Sequence, residues 1–203
     1  MVAALCLLVG ALAGMAASRV VALQTAGRGV PAPLLATAMG LVFGAVGLRV
    51  GADWALPGLL LFTWTLLVIA VIDARTGRVP NRLTYPLTPV LLGLLALAAL
   101  LNGEPARAAS ALLGGLAAGG ALLVLALINP RGMGMGDVKL AAFIGVGLGY
   151  LGWSELVAGL VAGFVIGGVV ALVLLATRLR GRKDLIPFGP YLAGGAFLAL
   201  FIG

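Results

Sequence analysis

The chain contains no histidine and one cysteine among 203 residues. Without histidine, Ser–His and Cys–His nucleophilic catalysis is excluded. Zinc and haem sites of the usual kind need several His or Cys ligands, so no metal and no cofactor is expected. A lone cysteine cannot close a disulfide within the chain, and Cys6, set inside an apolar run, reads as a small packing residue. Charge is also scarce, at 9% of residues, with Asp and Glu together numbering 6. Each ionisable group beside a membrane segment therefore needs a reason.

What fills the chain is apolar: 63% of residues are hydrophobic, the mean hydropathy is +1.22, and there are 32 glycines. A soluble domain of this size has too little core volume to hide so much apolar surface. The expected class is all-α, a polytopic membrane helix bundle of about eight transmembrane helices. The apolar segments fall near residues 2–17, 34–48, 58–72, 87–101, 108–128, 138–151, 156–177 and 188–202. Several are short of the ~20 helical residues that a ~30 Å hydrocarbon core requires, and 138–151 is the shortest. Short helices imply local thinning of the bilayer or half-buried ends. Glycines four apart, as in Gly10 and Gly14, Gly40 and Gly44, and Gly163 and Gly167, let helices approach closely.

No Lys or Arg precedes the first run, so it lacks the basic region of a signal peptide and reads as a permanent helix. There is no evident internal repeat, and the loops are too short to fold into a module. Residues 1–203 are expected to form a single membrane-embedded domain with no soluble domain, its function built from helix ends and short loops.

The formal charge of +7 does not point to nucleic acid, because the basic residues lie in short connections between apolar runs. With eight spans, alternate connections share a side. One side carries Arg19, Arg28, Arg75, Arg78, Arg82, Arg131, Lys139, Arg178, Arg180, Arg182 and Lys183; the other carries only Arg49 and Arg107. That asymmetry is the positive-inside pattern, which makes the first set cytoplasmic and puts both termini outside.

Two aspartates fall at one level on the basic side. Asp73 ends the third run, where a carboxylate opposes the helix macrodipole, whose C-terminal end is already partly negative. The placement is locally unfavourable and raises the odds of a role, against the plainer reading of an end residue that snorkels and pairs with Arg75 or Arg78. Asp137 opens the sixth run, where aspartate is also a favoured N-cap. Ahead of it, Gly132, Gly134 and Gly136 free the backbone for positive φ and for close approach of another chain. Two carboxylates meeting across a bundle cannot both ionise in low dielectric, so one keeps a proton while the other acts as base. Such a pair activates water against an amide without metal or nucleophilic side chain.

At these residues the chain resembles the type IV prepilin peptidases, membrane aspartic proteases of the GxGD type. Gly134-Met135-Gly136-Asp137, continued by Val138-Lys139-Leu140, resembles the family's second catalytic motif. Asp73, followed by Val79-Pro80-Asn81-Arg82-Leu83-Thr84, resembles the first. Ile186-Pro187-Phe188-Gly189-Pro190-Tyr191-Leu192-Ala193 is similar to a third stretch, and residues 9–21 loosely resemble the first helix. The resemblance implies an aspartic endopeptidase in the cytoplasmic membrane of a bacterium or archaeon. It would cut the basic leader from prepilin or pseudopilin precursors of type IV pili and type II secretion, just before their hydrophobic helix. Asp73 and Asp137 would be its catalytic dyad.

Longer members of that family carry a cytoplasmic domain between the first two helices, with zinc-binding CxxC pairs, associated with N-methylation. Here that connection is residues 18–33 without cysteine. The resemblance therefore implies the peptidase activity and lends no support to methyltransferase activity by this chain.

Supporting residues read less sharply. Gly134 and Gly136 would cradle the substrate backbone. Lys139 lies two residues beyond Asp137, points elsewhere on a helix, and reads first as an anchor to lipid headgroups and second as a charge that biases the dyad's ionisation from a distance. Asn81, after Pro80, reads as the cap of the next helix before it reads as a substrate contact. Pro187 and Pro190 bracket Phe188 and Gly189 and would rigidify the start of the last helix. Arg178-Leu179-Arg180-Gly181-Arg182-Lys183 reads as a topology and anionic-lipid anchor. The rival functions are an ion- or proton-coupled transporter, for which no paired halves are found, and an inactive scaffold of the same fold.

Overall fold

Each apolar run folds as an α-helix, the form in which a lipid-embedded backbone satisfies its own hydrogen bonds. The computed structural model describes residues 1–27, 29–129, 133–177 and 187–202. Among these residues it has eight helices and no strand: α1 (Val2–Gln24), α2 (Ala32–Val50), α3 (Leu56–Thr76), α4 (Asn81–Leu101), α5 (Pro105–Ile128), α6 (Met135–Leu151), α7 (Trp153–Ala176) and α8 (Gly189–Ile202). Six of them, α1 to α5 and α7, are long and apolar enough to cross a membrane. The chain is thus a polytopic helical membrane protein. The shortest helix is α8, with 14 residues, and not α6, with 17. At ~1.5 Å per residue, α8 falls well short of a ~30 Å hydrocarbon core.

Two boundaries depart most from expectation. The first helix runs on to Gln24 where an end near residue 17 is expected, and the fourth starts at Asn81, a full turn and a half before residue 87, and runs through Pro86 and Pro89. Each proline removes one i→i−4 bond, and helices buried among neighbours in a membrane tolerate that loss. The extra turn matters because it places Asn81 and Tyr85 on a regular helical face beside the site described below.

α1 packs chiefly on α2, α5 on α6 and α7 on α8, while α3 touches α1, α2, α4, α6 and α8. Between lipid and protein there is little hydrophobic drive, so close packing carries helix association. The glycine pairs serve that purpose. A Cβ added at Gly10 would come within 2.6 Å of the Met39 carbonyl oxygen, and one at Gly163 within 3.0 Å of the Leu192 Cα. Gly114 and Gly145 interlock α5 and α6 in the same way. α3 is the most enclosed of the long helices. Its Phe62 stacks on Phe143 of α6 at 5.6 Å, and its Trp64 Nε1 donates to the Ala13 carbonyl of α1 at 3.1 Å. Cys6 is buried and free.

Candidate active site

The C-terminal end of α3 meets the N-terminal ends of α4, α6 and α8 at one end of this bundle. α3 stops at Gly77, whose φ of 64° is left-handed and suits glycine. The Gly77 N–H donates to the Asp73 carbonyl at 2.7 Å, closing the helix on the residue of interest. The chain then turns through Val79 and Pro80 into α4.

Asp73 is buried at 3% exposure, so it does not snorkel to the surface. Its Oδ2 accepts the backbone N–H of Gly189, the first residue of α8, at 2.9 Å. The carboxylate that sits badly at the end of α3 thereby faces the positive end of another helix. Gly189 has to be glycine to come so near: a Cβ there would lie 2.7 Å from Asp73 Oδ2. The start of α8 is held by aromatic packing. Phe188 contacts Phe164 at 5.1 Å and Tyr191 at 6.4 Å between ring centroids. Pro190 costs no hydrogen bond in that first turn, where amides have no helical partner. Arg75 Nη1 donates to the Gly29 carbonyl, tying the end of α3 to the α1–α2 connection.

Asp137 lies in the first turn of α6, half-buried. It is the third residue of the helix and not its cap. The cap is Gly134, and Asp137 Oδ2 accepts the Gly134 N–H at 3.3 Å. Gly136, one residue before Asp137, packs against Val79 in the turn that follows α3, so both acids lie at the same end of the bundle.

Of the two things expected of the glycines, positive φ is absent at Gly134 and Gly136, and close approach is present at Gly136. Gly134 is extended, with φ −80° and ψ 147°, and neither it nor Gly136 has a positive φ. Gly136 instead allows close approach: a Cβ on it would lie 3.0 Å from the Val79 Cβ. The neighbour it admits is the chain's own α3–α4 turn. Gly134 stays exposed.

Lys139 and Asn81 also correct the expectations set on them. α4 has no side-chain cap; Pro80 stands at the cap position and Asn81 inside the first turn. Lys139 Nζ donates to Asn81 Oδ1 at 2.9 Å and sits 4.6 Å from the centroid of the Tyr85 ring. The lysine is thus engaged within the protein. Tyr85 went unnoticed in the sequence; once α4 is known to start at Asn81, the four-residue spacing of Asn81 and Tyr85 marks them as neighbours on one face. Beside the turn, Gln24, Thr76, Arg78, Val79 and Pro80 line an open cavity of about 400 Å³. Pro187 is part of the described lead into α8. Gly132, Ile186, Arg131 and the Arg178–Lys183 cluster lie outside the described residues.

A helical membrane protein with two acidic side chains gathered at one end of its bundle is the class defined by fold and site. The chain belongs to the type IV leader peptidase family, whose sequence profile matches residues 60–172, a stretch that contains Asp73, Asn81 and Asp137 and ends before α8. It is 34% identical over 172 residues to a prepilin leader peptidase/N-methyltransferase of Stutzerimonas stutzeri, covering 84% of this chain and 58% of that protein. Proteins of the same name from Pseudomonas aeruginosa and Bacillus subtilis are 33% and 34% identical, with 84% and 85% of this chain matched to 58% and 66% of theirs. The chain therefore spans less than two thirds of the length of these curated relatives. No solved structure matches it.

Proposed function

We propose that this chain is a prepilin leader peptidase that hydrolyses its substrate with Asp73 and Asp137 as a dyad. The observation that carries the reading is the burial of Asp73, held by the Gly189 amide, at the end of the bundle where the turn after α3 packs against the first turn of α6, which bears Asp137. As a dyad the pair would hold one proton between two carboxyls, because like charges at low dielectric do not both form.

The chemistry follows from that proton. The unprotonated carboxylate takes a proton from a water molecule as its oxygen attacks the scissile carbonyl carbon. The protonated carboxyl gives its proton to the carbonyl oxygen, forming a tetrahedral diol. The first carboxyl then returns its proton to the amide nitrogen, the C–N bond breaks, and the diol's proton restores the second.

The substrate class comes from the relatives, which are named for prepilin leaders. A precursor of that kind presents an apolar helix, which suits lateral docking on a bundle whose outer surface is apolar, followed by an extended segment entering the site. Exposed Gly134 would lie along that segment, and the cavity between Gln24 and Pro80 gives it room beyond the α3–α4 turn. The basic residues in the connections at this end of the bundle support a cytoplasmic location for it, with both termini outside. The proposal is confined to the peptidase step: α1 and α2 are separated only by residues 25–31, with no cysteine among them. Cleavage of a precursor by the purified chain, lost on Asp73→Asn and on Asp137→Asn, tests it.

A further inference from the structure

Asp73 is fixed by backbone on both sides, through Gly77 and Gly189. Asp137 is not. Among the described residues its side chain accepts only from Gly134, which belongs to the same turn and moves with it. Something outside α6 has to set where that turn sits relative to α3. Buried Val138 and Leu140 seat α6 in the core, and specific contacts tie its first turn to the segment that follows Asp73. Gly136 rests on Val79, and Lys139 reaches Asn81 and Tyr85, all within the turn and first helical turns that follow Asp73.

We infer that Lys139 is a positioning residue for Asp137, clamping the first turn of α6 onto the first turn of α4 through Asn81 and Tyr85. The inference rests on the dyad reading and deepens it. Its geometry is that of a two-point clamp. The ammonium donates to the Asn81 amide oxygen at 2.9 Å and lies over the Tyr85 ring at 4.6 Å, so both partners are one helical turn apart on α4. A cation held by a hydrogen bond and by a ring quadrupole has lost most of its freedom. Lys139 and Asp137 are two apart and project to different sides of α6, so the lysine acts on the carboxyl through the helix and not by contact. Gly136, one residue before Asp137, completes the arrangement by letting α6 sit against Val79 without a side chain in the way. Asn81 is free for this role because the N-terminus of α4 does not use it as a cap. A misplacement of about 1 Å at a reacting group can cost on the order of 100-fold in rate.

The test uses the full chain in detergent or vesicles and two kinds of measurement. In the first, Lys139→Met and Asn81→Leu each lower kcat by about 10- to 100-fold with KM within about two-fold. The double variant is no slower than the slower single one, because the two side chains form one interaction. Lys139→Arg, which keeps a donor and a cation over the ring, restores most of kcat. Unchanged kcat in Lys139→Met, additive losses in the double variant, or a rise in KM alone would overturn the clamp, the last pointing to substrate contact. The losses are the same in vesicles with and without anionic lipid; activity that tracks anionic lipid only when Lys139 is present would assign it to headgroups instead. In the second, amide hydrogen exchange at residues 135–140 rises in Lys139→Met and is restored in Lys139→Arg. That measurement needs no substrate, so it decides the clamp even if wild-type protein cleaves no precursor, an outcome that would refute the peptidase reading alone.

Discussion

The Asp73 side chain and the Gly189 backbone, 116 positions apart, meet in a buried hydrogen bond of 2.9 Å. The bond answers a local difficulty. Asp73 stands in the last turn of α3, where carbonyl groups crowd negative charge, and the first amide of α8 supplies the donor that α3 cannot. The stretch around Pro187 to Ala193 thus acquires a physical task, which is to deliver one N–H to one carboxyl.

Replacing Gly189 by alanine is expected to disturb that delivery. The added Cβ would lie 2.7 Å from Oδ2, 3.1 Å from Cγ and 3.2 Å from Cβ of Asp73, so the carboxyl or the helix must move. We expect kcat to fall about 100-fold while the helix content in circular dichroism stays unchanged. Wild-type kcat in Gly189→Ala would show that the contact has no bearing on Asp73's work.

A neighbouring pair of glycines on α7 separates packing from mere substitution. A Cβ at Gly167 would lie 2.6 Å from the Phe188 ring, whereas one at Gly168 would meet nothing within 4 Å. Gly167→Val should push Phe188 away, loosen the start of α8 and cost about 1–3 kcal/mol of stability together with activity. Gly168→Val, on the open side, should leave both within error. Thermal unfolding in detergent and the cleavage rate check the contrast; equal effects would mean the Phe188 anchor is not what holds α8.

Much of this was legible in the residues. All eight helices announce themselves as apolar runs, because a lipid-facing surface leaves little room for polar ones, and Asp73 and Asp137 stand out as acids at run ends. What could not be read was long-range. Nothing in the sequence pairs Asp73 with the amide of Gly189, since a backbone donor has no residue signature. Lys139 gave no hint of Asn81, which lies 58 positions away. The prolines at 86 and 89 obscured the start of α4, and with it the face that Asn81 and Tyr85 share. The glycines before Asp137 signalled close approach, which Val79 makes at Gly136, but not the left-handed backbone that Gly134 and Gly136 lack.

Orientation can be tested apart from chemistry. In a Cys6→Ser background, single cysteines at positions 78 and 131 should escape an impermeant thiol reagent in intact cells, and one at 107 should react. The positive charges concentrated on one set of connections lead to that outcome. Labelling at 78 or 131 from outside would invert the bundle and separate the site from the proposed cytoplasmic precursor segment.

The central claim is that Asp73 and Asp137 work as one catalytic unit on a prepilin-like precursor. Its most direct test incubates the purified full chain with such a precursor and reads the mass of the released leader. Wild-type protein should release a basic leader cut just before the apolar helix. Asp73→Asn and Asp137→Asn should each lower the rate by about a thousand-fold or more, and the double variant no further, as groups acting together do. Full cleavage by either single variant would contradict the dyad.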